Sequence, residues 1–252
     1  MSNWSKKQIR QVISELDGIS VPEQNILSND SEEFYVDRYY QIINLLPSIK
    51  KTDSVLDVGL SSGFLSLNIQ RSFKLKKVYT LEHPVVCQKY TNRFLKIMST
   101  NDISVEPVDL KYKKYPWKDN TFDYIVFSEI LEHLIPVDIP NVLREFNRIL
   151  KKGGQLIVTT PNIASMLKRL NLLFLGKNPN QLDLRVDFGV TYGHVREYTS
   201  DEVVSLASST YKFIKCSYIT IDRKRNIFTM LEHGASLLLP QLGNGMVIVF
   251  KK

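Results

Sequence analysis

Thirteen residues constrain this chain more than any others: Ser54-Val-Leu-Asp-Val-Gly-Leu-Ser-Ser-Gly-Phe-Leu-Ser66. The run from Ser54 to Val58 is short and apolar, as a strand covered on both faces of a parallel sheet must be. Gly59 and Gly63 bracket a tight turn, where the backbone bends and approaches a ligand with no Cβ in the way. Leu65, Ile69 and Phe73 then recur at helical spacing. Strand, glycine turn and helix form the opening unit of a doubly wound nucleotide-binding sheet. The spacing is Asp57-x-Gly59-x-x-x-Gly63, not the dinucleotide G-x-G-x-x-G, and the small residue Ser61 stands where a middle glycine is often found.

The 252 residues suffice for one large domain with a sizeable core, and 43% hydrophobic with 23% charged residues is ordinary for a soluble globular chain. A net charge of +7 suits an anionic partner. The cations, however, are scattered in pairs such as Lys76-Lys77 and Lys113-Lys114, which reads as a solvated surface. Cys87 and Cys216 show neither metal-ligand spacing nor a disulfide framework. Residues 1–16 hold no continuous apolar stretch of a secretory leader, and no apolar run approaches the roughly 20 residues of a membrane span. A cytoplasmic protein is expected.

Taken in order, residues 5–17 form an amphipathic helix through Ile9, Val12, Ile13 and Leu16. A second helix runs from Glu32 to Leu46, capped by Ser31 and stopped by Pro47. Strands follow at 77–82, 103–108, 122–127 and 155–160, with helices over 86–98 and 140–150. Lys151-Lys-Gly-Gly154 reads as the end of the last of these helices. Glu129, Glu132 and His133 stand at i, i+3 and i+4, so on a helix they would share one face. Two more strands are expected at 213–221 and 245–250, with a helix through Phe228 and Leu231 between them.

Residues 122–134 and 143–162 look like the F-D-x-[IV]-x-x-x-[ED]-x-[LI]-E-H-[LI] and L-x-x-G-G-x-[LF]-x-[VI]-x-x-P-N patterns of small-molecule class I S-adenosylmethionine (SAM)-dependent methyltransferases. The 54–66 stretch resembles their [VL]-L-D-x-G-x-G-x-G motif, with Ser61 as the departure. The resemblance covers roughly residues 50–165. It implies an α/β fold: a doubly wound, seven-stranded Rossmann-like sheet with its last strand antiparallel, plus N-terminal helices and a helical cap insertion. A single domain of 1–252 would then divide into a helical lid (1–48), a SAM-binding core (49–162), the cap (163–195) and the rest of the core (196–252). The cap carries Leu167, Leu170, Leu172, Leu173 and Phe174, so it either roofs a substrate pocket or forms a homodimer face.

The same resemblance implies SAM as cofactor, held by Asp57, Gly59, Ser61, Gly63, Glu82, His83, Asp109, Leu110 and Ser128. Glu82 ends the second strand, 19 residues past Gly63, where a carboxylate can accept hydrogen bonds from both ribose hydroxyls. Asp109 falls where the family reads the adenine. An N-terminal helix lies over the cofactor in that family, which makes Tyr35 or Arg38 a contact. The segment Gly193-His-Val-Arg-Glu-Tyr-Thr199 recurs in the group and puts His194 near the substrate.

For the chemistry, the sequence offers Glu129, Glu132, His133 and His194. The set resembles the Glu-x-x-Glu-His plus distal His of plant small-RNA 2′-O-methyltransferases, and a similar Glu-x-x-Glu-His occurs in ubiquinone-pathway O-methyltransferases. Two readings stay open. The four residues bind Mg²⁺ or Mn²⁺, which polarises acceptor hydroxyls. Alternatively, no metal is used and His133 or His194 is the general base, an imidazole titrating near neutral pH. His83 and His233 lack such company and read as packing or surface groups. The acceptor expected is a small hydroxylated metabolite, anionic or carbohydrate: a sugar, a nucleotide-sugar or a polysaccharide intermediate. RNA ribose methylation is the alternative, although no basic stripe with stacking aromatics is evident. A nicotinamide-dependent reductase would share Glu82 but not the loop spacing or the L-E-H segment, and the intact cofactor loop argues against a non-catalytic SAM-binding or assembly protein.

Overall fold

A computed structural model describes residues 4–20, 32–112, 114–177, 186–187, 190–191, 193–221 and 226–252. Ser31 and most of the expected turn after Gly176 lie outside the described residues. Two helices lead in. In α1 (Lys6–Leu16), Ser5 and Gln8 form a reciprocal capping box, and Ile9, Val12, Ile13 and Leu16 are buried. The second, α2 (Glu32–Leu45), buries Phe34, Val36, Ile42 and Ile43.

The core alternates strand and helix: β1 (Val55–Val58), α3 (Phe64–Phe73), β2 (Val78–Glu82), α4 (Pro84–Cys87), α5 (Asn92–Thr100), β3 (Ile103–Pro107), β4 (Phe122–Ser128), α6 (Ile139–Ile149) and β5 (Leu150–Pro161). Then come α7 (Met166–Leu175), a two-residue hairpin β6 (Val186–Asp187) and β7 (Val190–Thr191), α8 (Ser200–Ala207), β8 (Lys212–Ile219), α9 (Ile227–Leu238) and β9 (Gly245–Lys251). The main sheet has the order β3-β2-β1-β4-β5-β9-β8. Neighbours from β3 to β5 pair parallel, and β9 runs antiparallel to both β5 and β8. The doubly wound sheet with an antiparallel last strand is therefore present. Its order reverses beside β1, so the crevice for a ligand opens at the carboxyl ends of β1 and β4.

Alternation along the strands feeds two cores. Val55, Val126, Ile157, Val247 and Val249 pack toward α1, α2, α3 and α5. Leu56, Val58, Ile125, Phe127, Leu156, Val158, Ile248 and Phe250 pack toward α6 and α8. Asp57 faces the first of these layers, where Ser66 donates to it at 2.5 Å.

Three local expectations are corrected. The single helix expected over 86–98 is two, α4 and α5, because Thr91 is extended and its side chain caps Phe94 N–H. Lys151 to Gly154 belong to β5 rather than to a helix end: α6 stops at Ile149, and Lys151 pairs with Asp123 at 2.7 Å. Gly153, at φ 79°, absorbs the register shift between β4 and β5. Finally, Glu129 to His133 do not form an α-helix. Glu129 is left-handed at φ 55°, and only Leu131–His133 make a single 3₁₀ turn.

Candidate active site

A cavity of about 590 Å³ opens at the carboxyl ends of β1, β2, β4 and β5. Its floor is the glycine turn. Gly59 takes φ 84°, which strains any residue with a Cβ, and a Cβ there would also sit 2.2 Å from Ile130 Cδ1, which would have to shift. Ser61 takes φ 48°, and its N–H donates to Glu82 Oε2 at 2.9 Å. His83 N–H donates to the other oxygen, Oε1, at 2.7 Å, and the Tyr90 hydroxyl reaches Oε2 at 3.3 Å. Glu82 thus braces the turn while lining the cavity. Beneath it Asp57 is 1% exposed, and its Oδ1 has no partner. Burial pushes the Asp57 carboxyl up to about 7; the Ser66 hydrogen bond opposes the rise and Glu82 adds to it.

Of the residues expected to hold a cofactor, Gly59, Ser61, Glu82 and Ser128 line this cavity. Gly63 caps α3, and Asp57 lies below the surface. His83 Nε2 and Asp109 Oδ2 lie 3.7 Å apart, while the Leu110 carbonyl accepts from the Tyr115 hydroxyl. These last three stand outside the cavity lining.

The same cavity is lined by the candidate acid–base groups. His133 Nδ1 lies 3.0 Å from the Gly193 carbonyl, which only accepts, so Nδ1 carries the proton and Nε2 keeps its lone pair. His194 Nδ1 sits 3.0 Å from Glu197 Oε1, which leaves its Nε2 likewise free of that bond. The two rings meet edge to face with centroids 5.0 Å apart. Burial pushes the His133 imidazole below its ordinary pKa, helped by His194 and opposed by the Gly193 bond. Burial also works to raise Glu197, yet the His194 hydrogen bond and the Lys168 charge hold it below the usual carboxylate range.

Glu132 is 1% exposed and accepts from the Thr160 hydroxyl at 2.9 Å. Burial, with Glu129 adding to it, pushes the Glu132 carboxyl well above the carboxylate range. Its backbone carbonyl accepts from Val195 N–H at 2.8 Å and Arg196 N–H at 3.1 Å, which ties the turn after β4 to the segment carrying His194.

Glu132, His133 and His194 bring ligand atoms within 4.8 Å of one another. Glu129, the fourth residue of the expected set, is not among them. Its positive φ turns the side chain toward α2, where it pairs with Arg38 at 3.0 Å and accepts from Thr159 at 2.8 Å. Two imidazoles and one carboxylate are moreover a softer donor set than the oxygen-rich shells that Mg²⁺ and Mn²⁺ favour.

Two functional groups escaped the sequence reading. Glu197 and Lys168 pair with each other, and Glu197 positions His194. Arg38 was visible only as a contact on α2; its Nε is buried with no acceptor, and its guanidinium lies 4.7 Å from the Phe34 ring centroid.

A family model for the methyltransferase domain matches residues 32–209. The chain belongs to that family. Among curated relatives, this methyltransferase is 25% identical over 160 residues to the bifunctional methionine biosynthesis protein MetXA/MetW of Rhodopirellula baltica, covering 64% of the present chain and 23% of that protein. It is 26% identical over 110 residues to (S)-coclaurine N-methyltransferase of Thalictrum flavum, spanning 44% of the chain and 29% of the relative. The methyltransferase therefore spans less than a third of either relative's length. By structure it is similar to a SAM-dependent methyltransferase from Archaeoglobus fulgidus, with a TM-score of 0.56 at 14% identity, covering 85% of this chain and 93% of that one. The [4+2]-cyclase SpnF shares the fold as well, with a TM-score of 0.59 at 15% identity and coverage of 98% and 96%. Family and fold imply SAM as cofactor. The residues present fit it: Arg38 lines the cavity with its Nε lacking an acceptor, and Glu82 Oε1, which accepts from His83 N–H, retains a lone pair for a ribose hydroxyl.

Proposed function

We propose that this methyltransferase transfers a methyl group from SAM to the hydroxyl oxygen of a small, uncharged, hydroxylated metabolite such as a sugar or a sugar-bearing intermediate. The observation that carries this reading is the pair His133 and His194 in one cavity with Glu82: each has Nδ1 engaged, and His133, bonded to the Gly193 carbonyl, keeps Nε2 as a base. In this reading Glu82 takes the ribose hydroxyls, Gly59 and Ser61 form the floor, and Arg38 takes the carboxylate of the methionine part. When bound, SAM supplies a methyl group on a sulfonium, already activated for displacement. The chain's own residues orient the acceptor hydroxyl and receive its proton at an imidazole Nε2. A base so placed typically contributes ~10²–10⁴-fold, and positioning contributes the rest.

The charges support a neutral acceptor. Lys168 with Glu197 is an internally compensated pair. Glu132 is held toward its protonated form. An RNA strand's phosphates would find Lys168 already paired with Glu197, which disfavours ribose 2′-O-methylation of RNA. The convergence of Glu132, His133 and His194 supports a second reading, in which a metal of borderline softness binds there and polarises the acceptor.

The deciding experiment is transfer of a labelled methyl group from SAM to a panel of sugars, nucleotide-sugars, amines and short RNAs, with EDTA or with added Zn²⁺ or Mn²⁺. Methylation of hydroxylated neutral compounds that survives EDTA supports the metal-free base. Loss in EDTA with recovery on metal addition supports the second reading. Transfer to amines or RNA alone would refute both.

A further inference from the structure

Helix α9 is built inside out. Its inward stripe is polar or small: Thr229, Glu232, Ala235 and Ser236. Glu232 is 2% exposed, with one carboxylate oxygen accepting Leu167 N–H at 3.1 Å and the other accepting the Asn244 side chain at 3.2 Å. Ser236 accepts from the Thr220 hydroxyl. The outward stripe is apolar: Phe228 is 63% exposed, Leu237 74% and Leu238 84%. Helix α7 packs against α9, buries none of its own residues, and leaves Leu173 and Phe174 each 73% exposed. Amphipathic helices of soluble domains turn such side chains to the core. Here hydrogen bonds hold the polar stripe in, so the apolar face is fixed outward. Isolated exposed apolar residues are ordinary, but a contiguous surface of two helices is not.

The charges around this face select its partner. Over 166–177 the sequence reads Met-Leu-Lys-Arg-Leu-Asn-Leu-Leu-Phe-Leu-Gly-Lys, with no acid. Arg169 and Lys177 are exposed, and Lys168 pairs with Glu197. In α9 the single acid, Glu232, is the buried one. A second copy would bring the same cationic face, like against like. An anionic bilayer offers acyl chains for the leucines and phenylalanines and headgroups for the cations.

We propose that the outward face of α7 and α9 seats the protein on an anionic lipid surface as a peripheral, non-spanning attachment. Lys168 on α7 and Asn244, which bonds Glu232, both line the cavity, so docking sets the acceptor side of the cavity beside the membrane. The attachment requires neither methyl transfer nor SAM, and its test is independent of them.

The test is flotation of the purified full chain with vesicles of phosphatidylcholine alone or of an equimolar mixture with phosphatidylglycerol, at low and high salt. The protein is expected to float with the mixed vesicles, to bind pure phosphatidylcholine less, and to weaken with salt. The fourfold variant Leu173→Ser, Phe174→Ser, Leu237→Ser, Leu238→Ser is expected to lose at least about tenfold in vesicle affinity while keeping the wild-type thermal melt. The charge-reversed pair Arg169→Glu, Lys177→Glu, which leaves the apolar face intact, is expected to lose the preference for phosphatidylglycerol. Failure of the wild type to float, or equal flotation of the fourfold variant, overturns the proposal. So does a stable dimer in light scattering that the serine variant converts to monomer, which would assign the face to a second copy.

Discussion

Replacing Glu82 by Gln discriminates a carboxylate that merely ends a strand from one that organises the cofactor side of the cavity. Both oxygens already accept backbone N–H groups, Oε2 from Ser61 and Oε1 from His83. A glutamine amide offers one acceptor, so whichever way it is turned its NH₂ faces one of those two donors. Glu82→Gln therefore unpairs one N–H and also loses an acceptor for a ribose hydroxyl. Hydrogen bonds to a charged group contribute about 1.5–3 kcal/mol each in such a setting. Only the ribose bond forms on binding; discounted for the half-exposed position of Glu82, it gives about 1–2 kcal/mol, or about 5- to 30-fold in affinity, while the unpaired N–H lowers stability. Glu82→Ala removes both acceptors and leaves the Ser61 and His83 N–H groups unpaired, so it should bind at least as weakly as Glu82→Gln. The assay is calorimetric titration with S-adenosylhomocysteine, with a thermal melt to establish that each variant is folded. Glu82→Gln binding within threefold of wild type would refute the reasoning, for then neither the turn nor the ribose depends on the charge.

Three further outcomes follow from the same geometry. His133→Asn should lower kcat by about 10²–10⁴-fold with S-adenosylhomocysteine affinity unchanged; a large loss of affinity instead would move His133 to the cofactor side. Glu197→Gln, which removes the charge holding His194, should lower kcat by about tenfold or more, with Lys168→Met having a smaller effect on steady-state rates. Asp57 carries a pH signature: its folded carboxyl titrates at about 7, against roughly 4 in the unfolded chain. Because the folded state holds the proton more tightly, stability is highest below about pH 4 for this group and falls as pH rises toward 7, by up to about 4 kcal/mol. Denaturant titrations at several pH values should show that slope flattened in Asp57→Asn; an unchanged slope would place its origin elsewhere.

How much of this was readable in the sequence depended on the range of the interaction. Strands β1, β2, β4 and β9 announce themselves by apolar runs between turn residues, and the Asp57-to-Gly63 turn by its two glycines, because these are local consequences of burial and backbone freedom. The break between α4 and α5 was also local: Thr91, capping Phe94 N–H, is a helix-start signal that an apolar count from Val86 to Met98 overrides. The turn after β4 was not legible. Helical spacing put Glu129 beside Glu132, yet the chain must leave the sheet immediately, and Glu129 takes a left-handed conformation that no side-chain pattern announces. Its pairing with Arg38 spans 91 positions, and that of Lys168 with Glu197 spans 29. Neither has a periodicity to betray it. The two histidines were recognisable as types, but their juxtaposition rests on the Glu132 carbonyl holding Val195 and Arg196, a main-chain contact invisible in the letters.

The placement of β9 has a consequence for how the chain is made. This strand is threaded between β5 and β8, and among the described residues β8 has no other neighbour in the sheet. While synthesis proceeds, β5 emerges with Leu156, Ile157 and Val158 in place but with one side of its backbone unpaired until residues 245–251 leave the ribosome. That interval of about 85 residues lasts several seconds at ordinary elongation rates, with an apolar edge open to other nascent chains. The sheet closes last at its middle, not at its rim, so a chain arrested before Gly245 is left with β8 unanchored and β5 as a template for aggregation.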